Sequence, residues 1–167
     1  KMGASLIVTA RNEERLKDTM SFLEGKDHSY VIADLSFEDD INRIVDSLPV
    51  IDGIVLSAGM IKTMPVKNIS SKAIDEIFDV NIISNIKLLS KLLKRKKLAH
   101  SASIVLISSV STFNVKVGNS LYSSTKGAMN SFAKAMALEV AKLKIRVNCI
   151  QPGFIPSNIL NKSGIEE

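Results

Sequence analysis

A tyrosine and a lysine lie four residues apart at the start of a predicted helix, in the stretch LYSSTKGAMNSFAKAMALEVA (121–141). The apolar residues of this stretch recur at helical spacing, and the same face extends backwards to Lys126 and then Tyr122. We therefore expect both side chains where water is scarce. An ammonium one turn away favours the phenolate of a tyrosine, whose ordinary pKa is about 10. The pair predicts a general acid toward a carbonyl oxygen, or a base toward an alcohol.

Two further polar residues suit the same chemistry. Ser109 follows the predicted strand SIVLIS (103–108), where its hydroxyl is placed to hydrogen-bond an oxygen that gains negative charge. Asn81 interrupts the apolar face of a long predicted helix, and its amide is suited to hold a water that links Lys126 to solvent.

Each of these four residues also has an ordinary explanation. Helix-terminal tyrosines and lysines commonly extend to the surface, and serines commonly occupy turns. A buried asparagine is commonly satisfied by nearby backbone. Their combination at these spacings favours catalysis.

The elements that must position these residues alternate along the chain. Five short apolar segments predict strands covered on both faces, as in a parallel sheet: 5–9, 29–33, 53–57, 103–108 and 145–150. Amphipathic patterns between them predict helices near 12–24, 37–48, 71–97 and 121–143. This order predicts an α/β protein with a doubly wound parallel sheet in three α/β/α layers, forming a single domain over residues 1–167.

In such a sheet, ligands bind at the carboxyl ends of the strands. The unusual residues of this chain follow the five predicted strands at that end: Arg11, Asp34, Ser57-Ala58-Gly59, Ser109 and Pro152-Gly153. One edge of the sheet is therefore expected to hold the chemistry.

These residues resemble the motifs of the short-chain dehydrogenase/reductase family. Tyr122 and Lys126 match its Tyr-x-x-x-Lys pair, Ser109 its catalytic serine and Asn81 its helical asparagine. The resemblance implies an NAD(P)-binding Rossmann fold and a catalytic role for these four residues. It also implies that cofactor contacts come from Tyr122 and Lys126 together with Asp34, Leu35, Ser57, Ala58, Gly59, Pro152, Gly153, Ile155 and Ser157.

The segment VTARNEERL indicates which cofactor is used. NAD sites of this fold place an acid after the second strand to bind the ribose 2′-hydroxyl, whereas a nearby arginine accommodates a 2′-phosphate. Here Ala10 takes the place of the acid and Arg11 follows, so the sequence predicts NADP(H) over NAD(H). The alternative is that Arg11 only caps the next helix.

Composition excludes several other classes. The net charge is +5, but the basic run KLLKRKKLAH (91–100) suits a solvated helix end, and aromatic residues make up only 5% of the chain, so we expect no nucleic-acid partner. We also expect no membrane segment, no metal site and no disulfide from the single Cys149, with a cytoplasmic location.

Two parts of the family pattern have no counterpart in the chain. The glycine-rich loop that follows the family's first strand would precede KMGAS, and the substrate lid would follow NKSGIEE. Since the missing strand would lie between the strands at 5–9 and 53–57, we expect the fold to be incomplete and the sequence to be part of a longer protein.

Two functions remain open from the sequence. One is a carbonyl reductase similar to the 3-oxoacyl-[acyl-carrier-protein] reductases, acting on a small carbonyl or acyl thioester. The other is a non-catalytic relative that serves as a binding or scaffolding domain.

A second apolar face on the 71–97 helix, formed by Ile82, Ile86, Leu89 and Leu93, predicts an interface. With the resemblance, it predicts a homodimer or homotetramer built on helices 71–97 and 121–143. The alternative is that this face widens the core of the subunit.

Overall fold

A computed structural model describes residues 3–25 and 27–155. The chain divides into two compact units, Lys1–Leu48 and Pro49–Glu167.

The first unit contains two parallel strands and two helices. Its elements are β1 (Ile7–Ala10), α1 (Glu13–Ser21), β2 (Ser29–Ile32) and α2 (Glu38–Ser47). The Asn12 side chain caps α1 by accepting from the Arg15 backbone N–H at 2.8 Å. The α2 helix buries Ile41 together with Ile44 and Val45, which lie three and four positions further along, as in an amphipathic helix.

The second unit is a three-stranded parallel sheet with its helices. The strands are β3 (Ile51–Leu56), β4 (Leu98–Ile107) and β5 (Arg146–Ile150), in the spatial order β3-β4-β5. The helices are α3 (Ser71–Phe78), α4 (Ser84–Lys94) and α5 (Ser120–Glu139). Ile104 and Leu106 of the central strand are fully buried. The alternation of parallel strands and helices confirms the predicted α/β class.

The prediction of one continuous helix over 71–97 is wrong in the middle of this stretch and at its end. A π-helical turn, Asp79–Ile83, separates α3 from α4, and α4 ends at Lys94. Lys96 adopts the left-handed conformation with φ +52°, and the backbone N–H groups of Lys96 and Lys97 donate to Leu93 and Leu92 carbonyls. This is the Schellman arrangement that closes helices, and here it uses lysine in the place where glycine is usual.

β4 begins five residues earlier than predicted. Its pairing with β3 jumps from Ile51 opposite Leu98 to Gly53 opposite Ser103, so the extra residues form an irregularity that includes Ser101 at φ +70°. The predicted segment 103–108 is the part that follows this irregularity and pairs regularly.

The second apolar face of the long helix is only in part the exposed surface that the sequence analysis expected. Ile82 and Leu89 retain only 4% and 0% of their accessible surface, so they belong to the core of the subunit. Ile86 is 36% exposed. For Ile82 and Leu89, the alternative that this face widens the core is correct.

The loop after β3 is fixed against the start of α5. Met64 donates its backbone N–H to the Gly118 carbonyl at 2.9 Å, and the Thr63 hydroxyl donates to the Asn119 side-chain oxygen at 3.1 Å. Gly118 has φ +84°, and a Cβ added there would lie 2.9 Å from Thr63 Cγ2. Only glycine fits this approach without strain.

Gly118→Ala should lower the free energy of unfolding by about 1–3 kcal/mol, because alanine meets both an unfavourable φ and the Thr63 methyl. Gly127→Ala is the matched control, since Gly127 lies inside α5 with open space where a Cβ would be added, and this variant should gain about 0.5–1 kcal/mol. Urea unfolding measures both changes. Equal effects of the two substitutions would contradict this account of Gly118.

Candidate active site

The carboxyl ends of the three strands of the second unit bring the predicted segments to one edge. Ser57-Ala58-Gly59 follow β3, Ser108 and Ser109 follow β4, and Gln151 to Ile155 follow β5. Two backbone hydrogen bonds join the chain that follows β4 to the end of β5 and the residues after it. Ser108 N–H donates to Ile150 O at 2.8 Å, and Val110 N–H donates to Pro152 O at 3.1 Å.

Lys126 is buried in this edge with 5% of its surface exposed, as the helical pattern predicted. Its Nζ donates to the carbonyl oxygen of Ile107, the last residue of β4, at 2.7 Å. Nζ also lies 5.7 Å from the centroid of the Tyr122 ring. Burial lowers the pKa of Lys126 to about 8, while the nearby Cys149 opposes this shift.

Tyr122 is half-buried in the first turn of α5. Its ring packs against an apolar cluster formed by Ala73, Ile77 and Leu121. Burial raises the pKa of the Tyr122 phenol, and a hydrogen bond with the Ser109 side chain works in the opposite direction with a smaller effect. The sequence analysis expected Lys126 to favour the phenolate, whereas in this structure burial has the larger effect on the Tyr122 pKa and favours the neutral phenol.

Ser109 has its hydroxyl oriented by the backbone. Its Oγ accepts the Ser111 N–H at 3.1 Å, which leaves the hydroxyl proton available for another acceptor.

Asn81 is fully buried in the π-helical turn. Its Oδ1 accepts the Met60 N–H at 2.8 Å, and its Nδ2 donates to Met60 O and to Thr125 Oγ1, both at 3.0 Å. Its backbone carbonyl accepts a hydrogen bond from Asn85 Nδ2 at 2.9 Å. The amide is thus engaged in holding neighbouring segments, and the water-holding role expected for Asn81 stays a prediction.

Gly59 brings the turn after β3 close to both Asn81 and Lys126. A Cβ added at Gly59 would lie 3.4 Å from Asn81 Oδ1 and 3.6 Å from Lys126 Nζ. The structure therefore brings together Gly59, Asn81, Ser109, Tyr122 and Lys126.

Three contributing residues were missed by the sequence analysis. Ser108 donates through Oγ to Lys126 O at 3.2 Å, and Thr125 and Met60 are the partners of Asn81. Thr125 carried a usable signal, because it lies between Tyr122 and Lys126 and a hydroxyl there faces the preceding turn. The Met60 contacts are made by backbone, which sequence does not mark.

In the first unit, two of the predicted cofactor residues contact each other. Arg11 and Asp34 form an ion pair at 3.5 Å, in which the Arg11 side chain is 72% exposed. Asp34 Oδ1 also accepts the Ser36 N–H at 3.0 Å, and the neighbouring Leu35 is partly buried. Ser157, the remaining predicted contact, lies outside the described residues.

Among residues 3–25 and 27–155, no helix is long and apolar enough to span a bilayer. Over the same residues, no three His, Cys, Asp or Glu side chains gather as metal ligands.

The family model for short chain dehydrogenases matches residues 1–167. The chain belongs to this family. It is 26% identical over 162 residues to the 3-oxoacyl-[acyl-carrier-protein] reductase FabG of Rickettsia felis, covering 97% of this chain and 67% of that protein. It is 29% identical to the cyclopentanol dehydrogenase of Comamonas testosteroni, covering 92% of this chain and 64% of that protein.

Solved structures of short-chain dehydrogenases confirm the Rossmann-like fold. A short-chain dehydrogenase/reductase from Brucella melitensis, described as a glucose/ribitol dehydrogenase, is 28% identical, with a TM-score of 0.87 over 96% of this chain and 66% of that one. The chain thus spans about two thirds of the length of the relatives that it matches. Since these relatives are named as reductases and dehydrogenases, the family is one of oxidoreductases.

Proposed function

We propose that the protein transfers a hydride between NADP(H) and a carbonyl or secondary alcohol. The observation that supports this most strongly is the almost fully buried Lys126, whose Nζ lies 5.7 Å from the centroid of the Tyr122 ring, with Ser109 near the same phenol. A hydroxyl donor, a phenol and a desolvated amine at one strand end are what protonation of a carbonyl oxygen requires. The names of the similar proteins belong to the same reaction class.

In the reducing direction, Tyr122 donates its proton to the carbonyl oxygen. A phenol of ordinary pKa already carries this proton at neutral pH, and burial raises the Tyr122 pKa further. The Ser109 proton is placed to hydrogen-bond the same oxygen as negative charge develops on it. Lys126, anchored to Ile107 through one of its N–H groups, stabilises the phenolate that remains.

The residues present fit a nicotinamide cofactor, which when bound supplies or accepts the hydride. Since Gly59 has no side chain, the turn after β3 leaves space beside Asn81 and Lys126 that a Cβ would fill. The exposed Arg11 guanidinium suits a 2′-phosphate. The ion pair between Arg11 and Asp34 is on the surface, where such pairs contribute little to stability. A phosphate therefore competes readily with Asp34 for Arg11.

The substrate that we propose is a 3-oxoacyl thioester. Several of the similar proteins are named as 3-oxoacyl-[acyl-carrier-protein] reductases, including those of Rickettsia felis and Rickettsia bellii. We also propose a homodimer or homotetramer that uses α4 and α5, since Ile83 at the end of the π-helical turn and Ile86 in the first turn of α4 are 40% and 36% exposed.

Tyr122→Phe in the full-length protein should abolish reduction of a 3-oxoacyl thioester and leave NADPH binding nearly unchanged, because it removes the transferable proton and little contact area. Turnover and the NADPH dissociation constant measure the two effects. Tyr30→Phe is the matched control, since the Tyr30 hydroxyl bonds Glu13 within the first unit. Turnover of Tyr122→Phe equal to that of the parent would exclude Tyr122 as the proton donor, and a parent without any carbonyl reductase activity would favour the scaffolding alternative.

Arg11→Ala should weaken NADPH binding by about 1.5–3 kcal/mol, the scale of hydrogen bonds to charged groups, and leave NADH binding almost unchanged. Arg15→Ala removes the same charge from an exposed position on α1 and should affect neither cofactor. Fluorescence titration with each cofactor gives the dissociation constants. If Arg11→Ala weakens both cofactors equally, Arg11 does not bind the 2′-phosphate.

A further inference from the structure

The Thr125 side chain is fully buried on α5, one residue before Lys126 and three after Tyr122. Its Oγ1 donates to the backbone carbonyl of Tyr122 at 2.8 Å and accepts a hydrogen bond from Asn81 Nδ2 at 3.0 Å. The hydroxyl therefore joins the helical turn of the proton donor to the π-helical turn.

The single proton of this hydroxyl determines how the Asn81 amide is oriented. Because Thr125 gives its proton to Tyr122 O, it can only accept from Asn81, and so the amide nitrogen must face it. The amide oxygen then faces the Met60 N–H, at 2.8 Å, while the second amide proton bonds Met60 O at 3.0 Å. Asn81 therefore hydrogen-bonds both the N–H and the carbonyl oxygen of Met60.

Met60 directly follows the Ser57-Ala58-Gly59 turn, so this arrangement also fixes the turn. The Gly59 backbone lies close enough to Asn81 Oδ1 and Lys126 Nζ that an added Cβ would be 3.4 Å and 3.6 Å from them. A continuous series of bonds thus runs from α5 through Thr125 and Asn81 to the turn after β3.

We propose that Thr125 is a positioning residue that sets the distance between the Gly59 turn and the Tyr122–Lys126 pair. This inference rests on the proposed function, in which the turn contacts the cofactor and Tyr122 supplies the proton. Hydride and proton must reach the two ends of one carbonyl, so a small displacement of either side lowers the rate of the chemical step. Misplacements of about 1 Å cost up to about a hundredfold in rate.

Thr125→Val keeps the shape and removes the hydroxyl, leaving Asn81 Nδ2 and Tyr122 O without this partner. It should lower kcat about 10- to 100-fold, with KM for the carbonyl substrate and the NADPH dissociation constant changed less than about threefold. Thr125→Ser keeps the hydroxyl and should restore kcat to within about threefold. If the valine variant does not fold, Thr125→Ala takes its place with the same expectation.

The control is Ser124→Ala, which removes a hydroxyl from the neighbouring position of α5, where it donates to the Ser120 carbonyl at 2.8 Å. It should leave kcat unchanged. Loss of kcat in the valine variant with no recovery in the serine variant would overturn the proposal, as would a parallel loss in the Ser124 control.

Hydrogen exchange of the Met60 amide separates this inference from the proposed function, because it requires no activity. Thr125→Val should speed exchange of this amide about tenfold or more, since the Asn81 amide that accepts its proton is released, while Ser124→Ala should not. If the parent protein reduces no carbonyl, the proposed function fails and accelerated exchange still supports the positioning contact. Unchanged exchange in the Thr125 variant overturns the inference in either case.

Discussion

The burial of one ammonium group is the constraint on which the candidate site depends. Removing a lysine from water disfavours its charged form, and Lys126 accordingly has its pKa lowered to about 8. The Ile107 carbonyl offsets part of that cost by accepting a hydrogen bond from Lys126 Nζ. It is within reach because Ile107, the last residue of β4, lies next to Lys126 of α5. The same burial surrounds the Tyr122 phenol, whose pKa moves up for the same physical reason. The amine and the phenol ordinarily have similar pKa values. Burial at this edge of the sheet separates them, because it lowers the pKa of Lys126 and raises that of Tyr122.

The remaining polar groups of the site keep this edge in one arrangement. Ser111 donates its backbone N–H to Ser109 Oγ, and Ser108 donates to the Lys126 carbonyl. Asn81 and Thr125 connect the helix to the turn after β3. Because Ser108 and Asn81 each bond a segment other than their own, a displacement of α5 or of the turn after β3 breaks bonds to its neighbours.

Much of this arrangement follows from the sequence because it depends on regular periods. The helical stripe through Lys126 predicted its burial, and the apolar segments predicted the strands whose ends collect Ser109 and Gly59. The π-helical turn around Asn81 was not predicted, since this stretch carries apolar residues on two faces and the one-residue shift in helical phase does not stand out. Leu89 was predicted to lie at an exposed interface and is buried in the core. The prediction failed because an apolar face at helical spacing does not reveal whether core or solvent covers it. The roles of the cofactor residues and the single-domain organisation stay predictions.

The most direct test of the account is the titration of Tyr122 itself. The chain has two tyrosines and no tryptophan, so in a Tyr30→Phe background the ultraviolet absorbance of phenolate reports Tyr122 alone. In the cofactor-free protein, the account predicts a pKa above the ordinary 10.0, because burial dominates, and a still higher value in Ser109→Ala, because the opposing hydrogen bond is lost. A pKa at or below 10.0 that does not respond to Ser109→Ala would contradict a buried, serine-bonded proton donor.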